Sequence, residues 1–197
     1  MGKEAHVRAH FQDGPDEGRL QFEPPKLIFR GRARHVFEGE ALTGVRAEAG
    51  ELMLAGGARF ALGEKAAASW ADAILNPKTR MQKIGVKPGM RTAVLGVADA
   101  TLSAELAEAG GVPAEALEDL DLLFYAADSA VELARIGDLL PRLSDRGALW
   151  IVSKKGRAAT VRDTEVMAAA KAHGLVDNKV VAFSDTLTAL RFVRRRS

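Results

Sequence analysis

The chain has 197 residues, 47% of them apolar and 27% charged, which suits an α/β domain plus a smaller module and excludes a mainly disordered chain. It contains no cysteine, so disulfides, thiolate nucleophiles and cysteine-held zinc or iron–sulfur clusters are excluded. The formal net charge is +2; residues 1–76 carry 10 basic and 11 acidic side chains and residues 77–197 carry 18 and 15, which argues against nucleic acid as a partner.

The lack of cysteine fits a reducing compartment, and the expectation is a cytoplasmic protein. The first ten residues, MGKEAHVRAH, place charges where a signal peptide needs an apolar core. No apolar run is long enough to span a membrane, so no membrane partner is expected.

Residues 1–17 are polar, contain Gly14-Pro15-Asp16 and read as a flexible leader. From Gly18 the pattern changes to short apolar alternations. Leu20 and Phe22, then Leu27 and Phe29, then Val36 predict strands, bounded by Pro24-Pro25, Gly31 and Gly39. Further strand-like runs cover 42–48, 51–55 and 58–62, with Ala49-Gly50 and Gly56-Gly57 between them. Paired glycines between short strands favour a tight hairpin, because both turn residues can take positive φ. A helix is predicted over 64–75, with Ala67, Trp70, Ala71 and Ile74 on one face, and Asn76-Pro77 stops it.

The second part starts near Lys78. Buried strands are predicted over 91–97 (RTAVLGV), 120–127 (LDLLFYAA) and 147–153 (GALWIVS), each followed by a helix: 101–109, 129–143 and 160–173. This alternation means a parallel, doubly wound Rossmann-like sheet. Two last strands, 179–183 and 187–193, are joined by a short turn, so the final strand runs antiparallel. The domain reading is a leader (1–17), a small antiparallel β module with one helix (18–76) and a Rossmann-like domain (77–197).

A meander of antiparallel strands closed by one helix resembles, in element order, the pleckstrin-homology or GRAM half-barrel. A plain sheet extension of the main domain is the alternative. In the second part, Ile84-Gly85-Val86-Lys87-Pro88-Gly89-Met90-Arg91-Thr92-Ala93-Val94-Leu95 resembles the opening of class I S-adenosylmethionine methyltransferases. Leu139-Leu140-Pro141-Arg142-Leu143, followed by Gly147-Ala148-Leu149-Trp150-Ile151-Val152, resembles that family's passage into its fifth strand, and the hairpin over 179–194 resembles its antiparallel end. The stretches Val166 to Ala170, Gly174-Leu175-Val176-Asp177, Lys179-Val180-Val181, Phe183-Ser184 and Leu190 to Arg194 resemble a bacterial domain-of-unknown-function family of the same shape. That second resemblance implies a fold and no activity.

The first resemblance implies a glycine-rich cofactor loop after the first strand and a ribose-binding carboxylate after the second. The chain departs from both. Its loop reads Gly96-Val97-Ala98-Asp99-Ala100-Thr101, with one glycine, standing where the acid should be. The second strand is missing or shrunken, and only Glu115 and Glu118 are left to serve the ribose. The expectation is a non-catalytic domain without a cofactor, used for ligand or protein binding; the alternative is a methyltransferase that holds S-adenosylmethionine through a remodelled loop.

The ligand crevice of a doubly wound sheet lies at the carboxyl ends of its parallel strands. The candidate residues there are Asp99, Asp128, Ser153, Lys154, Lys155, Asp185 and Thr186, which would suit a small anionic or zwitterionic ligand. Asp99 and Asp128-Ser129 also stand where helix caps are needed, Thr160-x-x-Asp163 has the form of a capping box, and Lys154-Lys155-Gly156-Arg157 fits a solvated turn. His6 and His10 have the spacing of a metal pair on a helix, but a leader without cysteine or clustered carboxylates points to no metal. His173 is expected at a helix end, where positive charge suits the dipole. Arg194-Arg195-Arg196 is expected to be a frayed, solubilising terminus, on the opposite side of the sheet from the Lys154 loop.

Overall fold

The computed structural model describes residues 2–195, in two compact units, Met1–Lys78 and Thr79–Ser197. The N-terminal unit is a seven-stranded antiparallel sheet of order β4-β3-β2-β1-β7-β6-β5. Its strands are β1 (Lys3–Phe11), β2 (Gly14–Glu23), β3 (Lys26–Arg30), β4 (Arg34–Phe37), β5 (Arg46–Glu48), β6 (Glu51–Met53) and β7 (Arg59–Ala61). Helix α1 (Glu64–Leu75) follows.

The expected leader is corrected. Residues 3–11 form β1 and pair along their whole length with β2, from Lys3 opposite Phe22 to Phe11 opposite Gly14. Polar composition hid the strand, because only alternate positions, Val7 and Ala9, are buried. His6 and His10 are therefore strand residues. The expected strand over 42–48 is also shorter: Gly39–Leu42 is a 3₁₀ turn, and only Arg46–Glu48 pairs. One apolar cluster gathers Leu20, Phe22, Leu27, Phe29, Leu52 and Phe60 with Trp70, Ala71 and Ile74 of α1. Each large side chain so buried contributes about 1.5–3 kcal/mol.

The second unit is a six-stranded sheet of order β12-β13-β11-β10-β8-β9. Strands β8 (Arg91–Leu95), β9 (Val112–Pro113), β10 (Leu120–Ala126) and β11 (Leu143–Lys154) are parallel, and β13 (Leu187–Arg194) runs antiparallel between β11 and β12 (Leu175–Ala182). Helices cover both faces. α2 (Arg80–Ile84) and α3 (Leu102–Glu108) put Met81, Ile84, Leu102 and Leu106 against Phe124 and Trp150. α4 (Ala130–Ala134), α5 (Ile136–Leu139) and α6 (Asp163–Ala172) put Leu133, Ile136, Leu139, Val166 and Ala170 against Leu123, Tyr125 and Ile151 on the other face. The unit is a doubly wound Rossmann-like sheet ending in an antiparallel hairpin, as the residue pattern predicts.

Two helices differ from expectation. The run over 129–143 breaks into α4, α5 and a 3₁₀ turn at Leu140–Arg142, because Pro141 withholds a backbone donor and Arg135 already closes the first turn. The third helix starts at Asp163 rather than Thr160, and Glu165 caps it by accepting the Arg162 N–H at 2.8 Å. The expected second strand survives as the two residues of β9.

Arg194 is not frayed. Its guanidinium donates to the carbonyls of Leu140 (2.6 Å), Ser144 (2.8 Å) and Leu143 (3.4 Å), tying the last strand to the start of β11. That position is at the far end of β13 from Lys154, which pairs with Leu187. Arg196 lies outside the described residues.

Each unit holds one of the two tryptophans, Trp70 and Trp150, both buried. In a Trp70→Phe background, Trp150 fluorescence thus reports the second unit alone. A Cβ on Gly147 would collide with the Leu120 carbonyl on the neighbouring strand, where neither backbone can yield. Gly147→Ala should therefore lower the stability of this unit by about 1–3 kcal/mol, read as a lower urea midpoint of the Trp150 signal.

Candidate functional site

The carboxyl end of β8 is where a doubly wound sheet opens to its ligand. Here β8 stops at Leu95, and Gly96 turns the chain at φ +70°. Val97 packs against the apolar cluster of Phe124 and Trp150. Asp99 then takes two roles at once. Its Oδ1 accepts the N–H groups of Thr101 and Leu102, both at 3.1 Å, so it caps α3. Its Oδ2 takes a hydrogen bond from Arg80.

Arg80 is the residue that the sequence reading missed. Thr79-x-x-Gln82 forms a reciprocal capping box that starts α2, with Gln82 N donating to Thr79 Oγ1 at 3.2 Å and Thr79 N to Gln82 Oε1 at 3.0 Å. That T-x-x-Q signal was available in the sequence. It sets Arg80 in the first turn, from which its guanidinium reaches the end of β8. Besides Asp99, Arg80 donates to Glu105 Oε1 (2.8 Å) and Oε2 (3.0 Å), to Thr101 Oγ1 (3.0 Å) and to the Phe183 carbonyl (3.3 Å). Its Cζ also sits 4.6 Å from the centre of the Phe183 ring.

The Arg80 and Asp99 side chains are only 12% and 10% exposed, so this is a largely desolvated ion pair. Arg80's hydrogen bonds hold the Asp99 carboxyl below the ordinary aspartate range, against the opposing effect of burial. Burial alone would lower the Arg80 pKa, but its bonds to Asp99 and Glu105 overcome that and raise it.

The other loops form a second group. Asp128 Oδ1 accepts the Lys154 N–H at 2.8 Å, and Lys154 Nζ lies 3.5 Å from Asp128 Oδ2. Thr160, expected in a capping box, instead donates its hydroxyl to the Asp128 carbonyl at 2.5 Å. Ser129 is the N-cap of α4: it accepts from Glu132 N–H at 3.3 Å, while Glu132 accepts from Asp128 N–H and the Ser129 hydroxyl, both at 2.8 Å. These donors, Asp128 N–H first, hold Glu132 below the usual glutamate range. Lys155 N–H bonds the Thr186 carbonyl at 2.9 Å, joining this group to the β12–β13 turn. Ser153 is buried, Lys155 half-buried, and Asp185 and Thr186 exposed. Thus Asp128, Lys154, Lys155 and Thr186 are linked, while Asp99 belongs to the Arg80 cluster. His173 caps the end of α6, its ring lying against Gly137, where a Cβ would stand 2.8 Å from Cε1.

The side chains at the end of β8 are engaged with one another. Both Asp99 oxygens are bonded, to Arg80 and to the Thr101 and Leu102 N–H groups at the start of α3. The short β9 is followed by Ala114, and Glu115 and Glu118 are exposed in the bend beyond it. No carboxylate stands at the end of that strand.

No protein-family model matches the chain, and no curated protein matches it. Among solved structures it is similar to a TehB-like SAM-dependent methyltransferase from Corynebacterium glutamicum, at 13% identity and TM-score 0.44, covering 67% of this chain and 97% of that one. A SAM-dependent methyltransferase from Aquifex aeolicus gives 14% identity and TM-score 0.44, covering 59% and 88%. Fibrillarin from Aeropyrum pernix, solved with S-adenosyl-L-methionine, gives 13% and 0.42, covering 98% and 100%. Likenesses of this size assign neither residues nor activity. The Rossmann-like architecture stands on the strand pairing itself. No helix among the described residues is long and apolar enough to cross a membrane.

Two outcomes follow from the Arg80 cluster. Arg80→Met leaves Asp99 and Glu105 facing each other without their cation, and should cost on the order of 3 kcal/mol by Trp150-monitored urea unfolding. Because the Asp99 pKa is depressed on folding, its stabilisation is complete above the unfolded value of about 3.9 and is lost as pH falls through the lower folded value. Asp99→Asn should therefore be less stable at neutral pH and show a shallower fall in stability below about pH 4 than the parent chain.

Proposed function

We propose that this chain is a non-catalytic binding protein, built on a methyltransferase-like domain whose cofactor mouth is closed from within. The observation that carries this reading is the Arg80 guanidinium, which occupies the end of the first parallel strand and uses both oxygens of Asp99 and of Glu105. A cofactor would have to break a desolvated ion cluster and leave a charge unpaired in doing so. Support also comes from the residues that carry the methyltransferase resemblance, 84–95 and 139–152, which keep the framework of that family. The loop over 96–101 keeps none of its glycine spacing.

In this reading the ligand-facing part of the mouth is the second group of loops, around Asp128, Ser153, Lys154, Lys155, Asp185 and Thr186. Lys155 and Arg157 have no ion pair among the described residues, and a small anionic or zwitterionic ligand suits them. The N-terminal unit is read as a half-barrel of the pleckstrin-homology or GRAM kind. Seven antiparallel strands in two meanders, followed by one helix packed on their apolar face, support that reading.

The test is calorimetric titration and thermal shift with S-adenosylmethionine and S-adenosylhomocysteine. A ligand at 100-fold its dissociation constant stabilises by about 2.7 kcal/mol, a shift that is easily read. At ligand concentrations of about 1 mM the expected result is no heat and an unchanged melting temperature. Saturable binding would sink the non-catalytic reading and establish the methyltransferase with a remodelled loop in its place.

A further inference from the structure

The N-terminal unit has nearly equal numbers of basic and acidic residues, yet its fold sorts them. Residues directly opposite in an antiparallel sheet share a face, with Cβ atoms about 4.5–5.5 Å apart. The registers set His6 opposite Arg19, Arg19 opposite Arg30, and Arg30 opposite Arg34. Four basic side chains thus form one row across β1, β2, β3 and β4, on the face turned away from α1 and the apolar cluster.

The two ends of this row differ. On the β1–β2 side carboxylates answer the charge: Glu4 pairs with Arg19, and Glu17 lies 3.7 Å from His6. On the β3–β4 side no carboxylate makes an ion pair, although Glu4 acts on Arg30 from a distance, across Gln21. Arg30 is bonded only to the amide oxygen of Gln21, and Arg34 has no ion pair among the described residues. Both arginines are exposed. The turn between them is fixed, because Asp16, its side chain 9% exposed, accepts the Arg32 N–H at 3.0 Å, and a Cβ on Gly31 would meet the same carboxylate. Two like charges are therefore opposite each other on a hairpin with a braced turn, an unfavourable arrangement that a further anion beside Arg34 would relieve.

β4 is also an edge. It pairs only with β3, and the backbone groups of Arg34–Phe37 make no other backbone hydrogen bond among the described residues. Sheets blunt such edges with proline, lysine, bulges or shortness. In the second unit the edge strand β12 has a register break between Asp177 and Lys179. β4 pairs in unbroken register and has neither lysine nor proline; its four-residue length and the charge of Arg34 are its protection. Next to Arg34 on the outer face stands Val36, 38% exposed.

We propose that the free edge of β4 docks an acidic, extended protein segment, added as an eighth strand with a carboxylate opposite Arg34 and an apolar side chain opposite Val36. Main-chain bonds to the edge supply affinity, and the alternating side chains supply selection. A phosphate polymer would use the charge but not the edge or Val36, so a peptide uses more of what is present. The surface lies wholly within the N-terminal unit and does not depend on the closed cofactor mouth, so either reading can fail alone.

The probe is a fluorescein-labelled ten-residue peptide that carries glutamate and valine in turn at every second position, with threonine between them so that both types share one face, titrated into the full chain and followed by anisotropy. Saturable binding is expected, weakening between about 50 and 300 mM salt, with slowed amide exchange at residues 34–37. Arg34→Glu should weaken it about tenfold or more, equivalent to about 1.4 kcal/mol. The same peptide methylated on alternate backbone nitrogens, which keeps its charge but removes its donors, should lose binding to a similar extent, as should a lysine–valine peptide. Equal binding of the methylated peptide, or no effect of Arg34→Glu with the fold intact by circular dichroism, would overturn the proposal. So would binding of an oligodeoxythymidylate or of phosphatidylserine vesicles where the peptide shows none.

Discussion

The Arg80 cluster is the constraint on which the second unit's architecture and its chemistry both depend. The Arg80 guanidinium and the Asp99 carboxylate share a place from which water is largely excluded, where neither is readily tolerated alone, and the half-buried Glu105 completes the cluster. Each comes from a different element: Arg80 from α2, Asp99 from the turn after β8, Glu105 from α3. The Phe183 carbonyl and ring bring in the end of β12. One side chain thus fixes four chain segments at the carboxyl end of β8. The same bonds hold α3 on the sheet and engage both carboxylates of the cluster.

The second group of loops is built differently. Asp128 bonds a backbone N–H and a lysine that is half exposed, and Ser129 and Glu132 satisfy each other at the start of α4. These are exchangeable, solvated contacts, weak individually and screened by salt. The polar contacts thus grade from a desolvated cluster at the end of β8 to solvated ones at the end of β11.

Much of this fold was legible because its buried strands are unbroken apolar runs. Residues 120–127 and 147–153 admit no other reading, and Asn76-Pro77 marks the end of α1 without help from any contact. What escaped did so for identifiable reasons. β1 buries only alternate residues and shows charges between them, so KEAHVRAHF looks like a tail until β2 is laid beside it. The long run after Ser129 kept helical spacing, and only Pro141 warned of the break. At the site, Asp99 and Ser129 were readable as caps because capping is local. Arg80 was not readable as Asp99's partner, since 19 residues and a strand separate them in the chain. The capping box at Thr79 could have announced the helix, though not where its first side chain points.

Net charge is the summary in which most was lost. Ten bases and eleven acids in residues 1–76 describe a neutral module, and that balance fairly argues against a broad polyanion-binding surface. A sum over residues is blind to register. Sliding β4 by one residue against β3 would turn Arg34 to the inner face and break the row, with composition unchanged. Alternation and turn length, rather than charge count, decide that Arg30 faces Arg34, and Asp16 spends its own charge on the turn backbone instead of on either of them. The electrostatic character of this unit is therefore a property of its hairpins, and a chain with the same composition folded in another register would present a different surface to its partners.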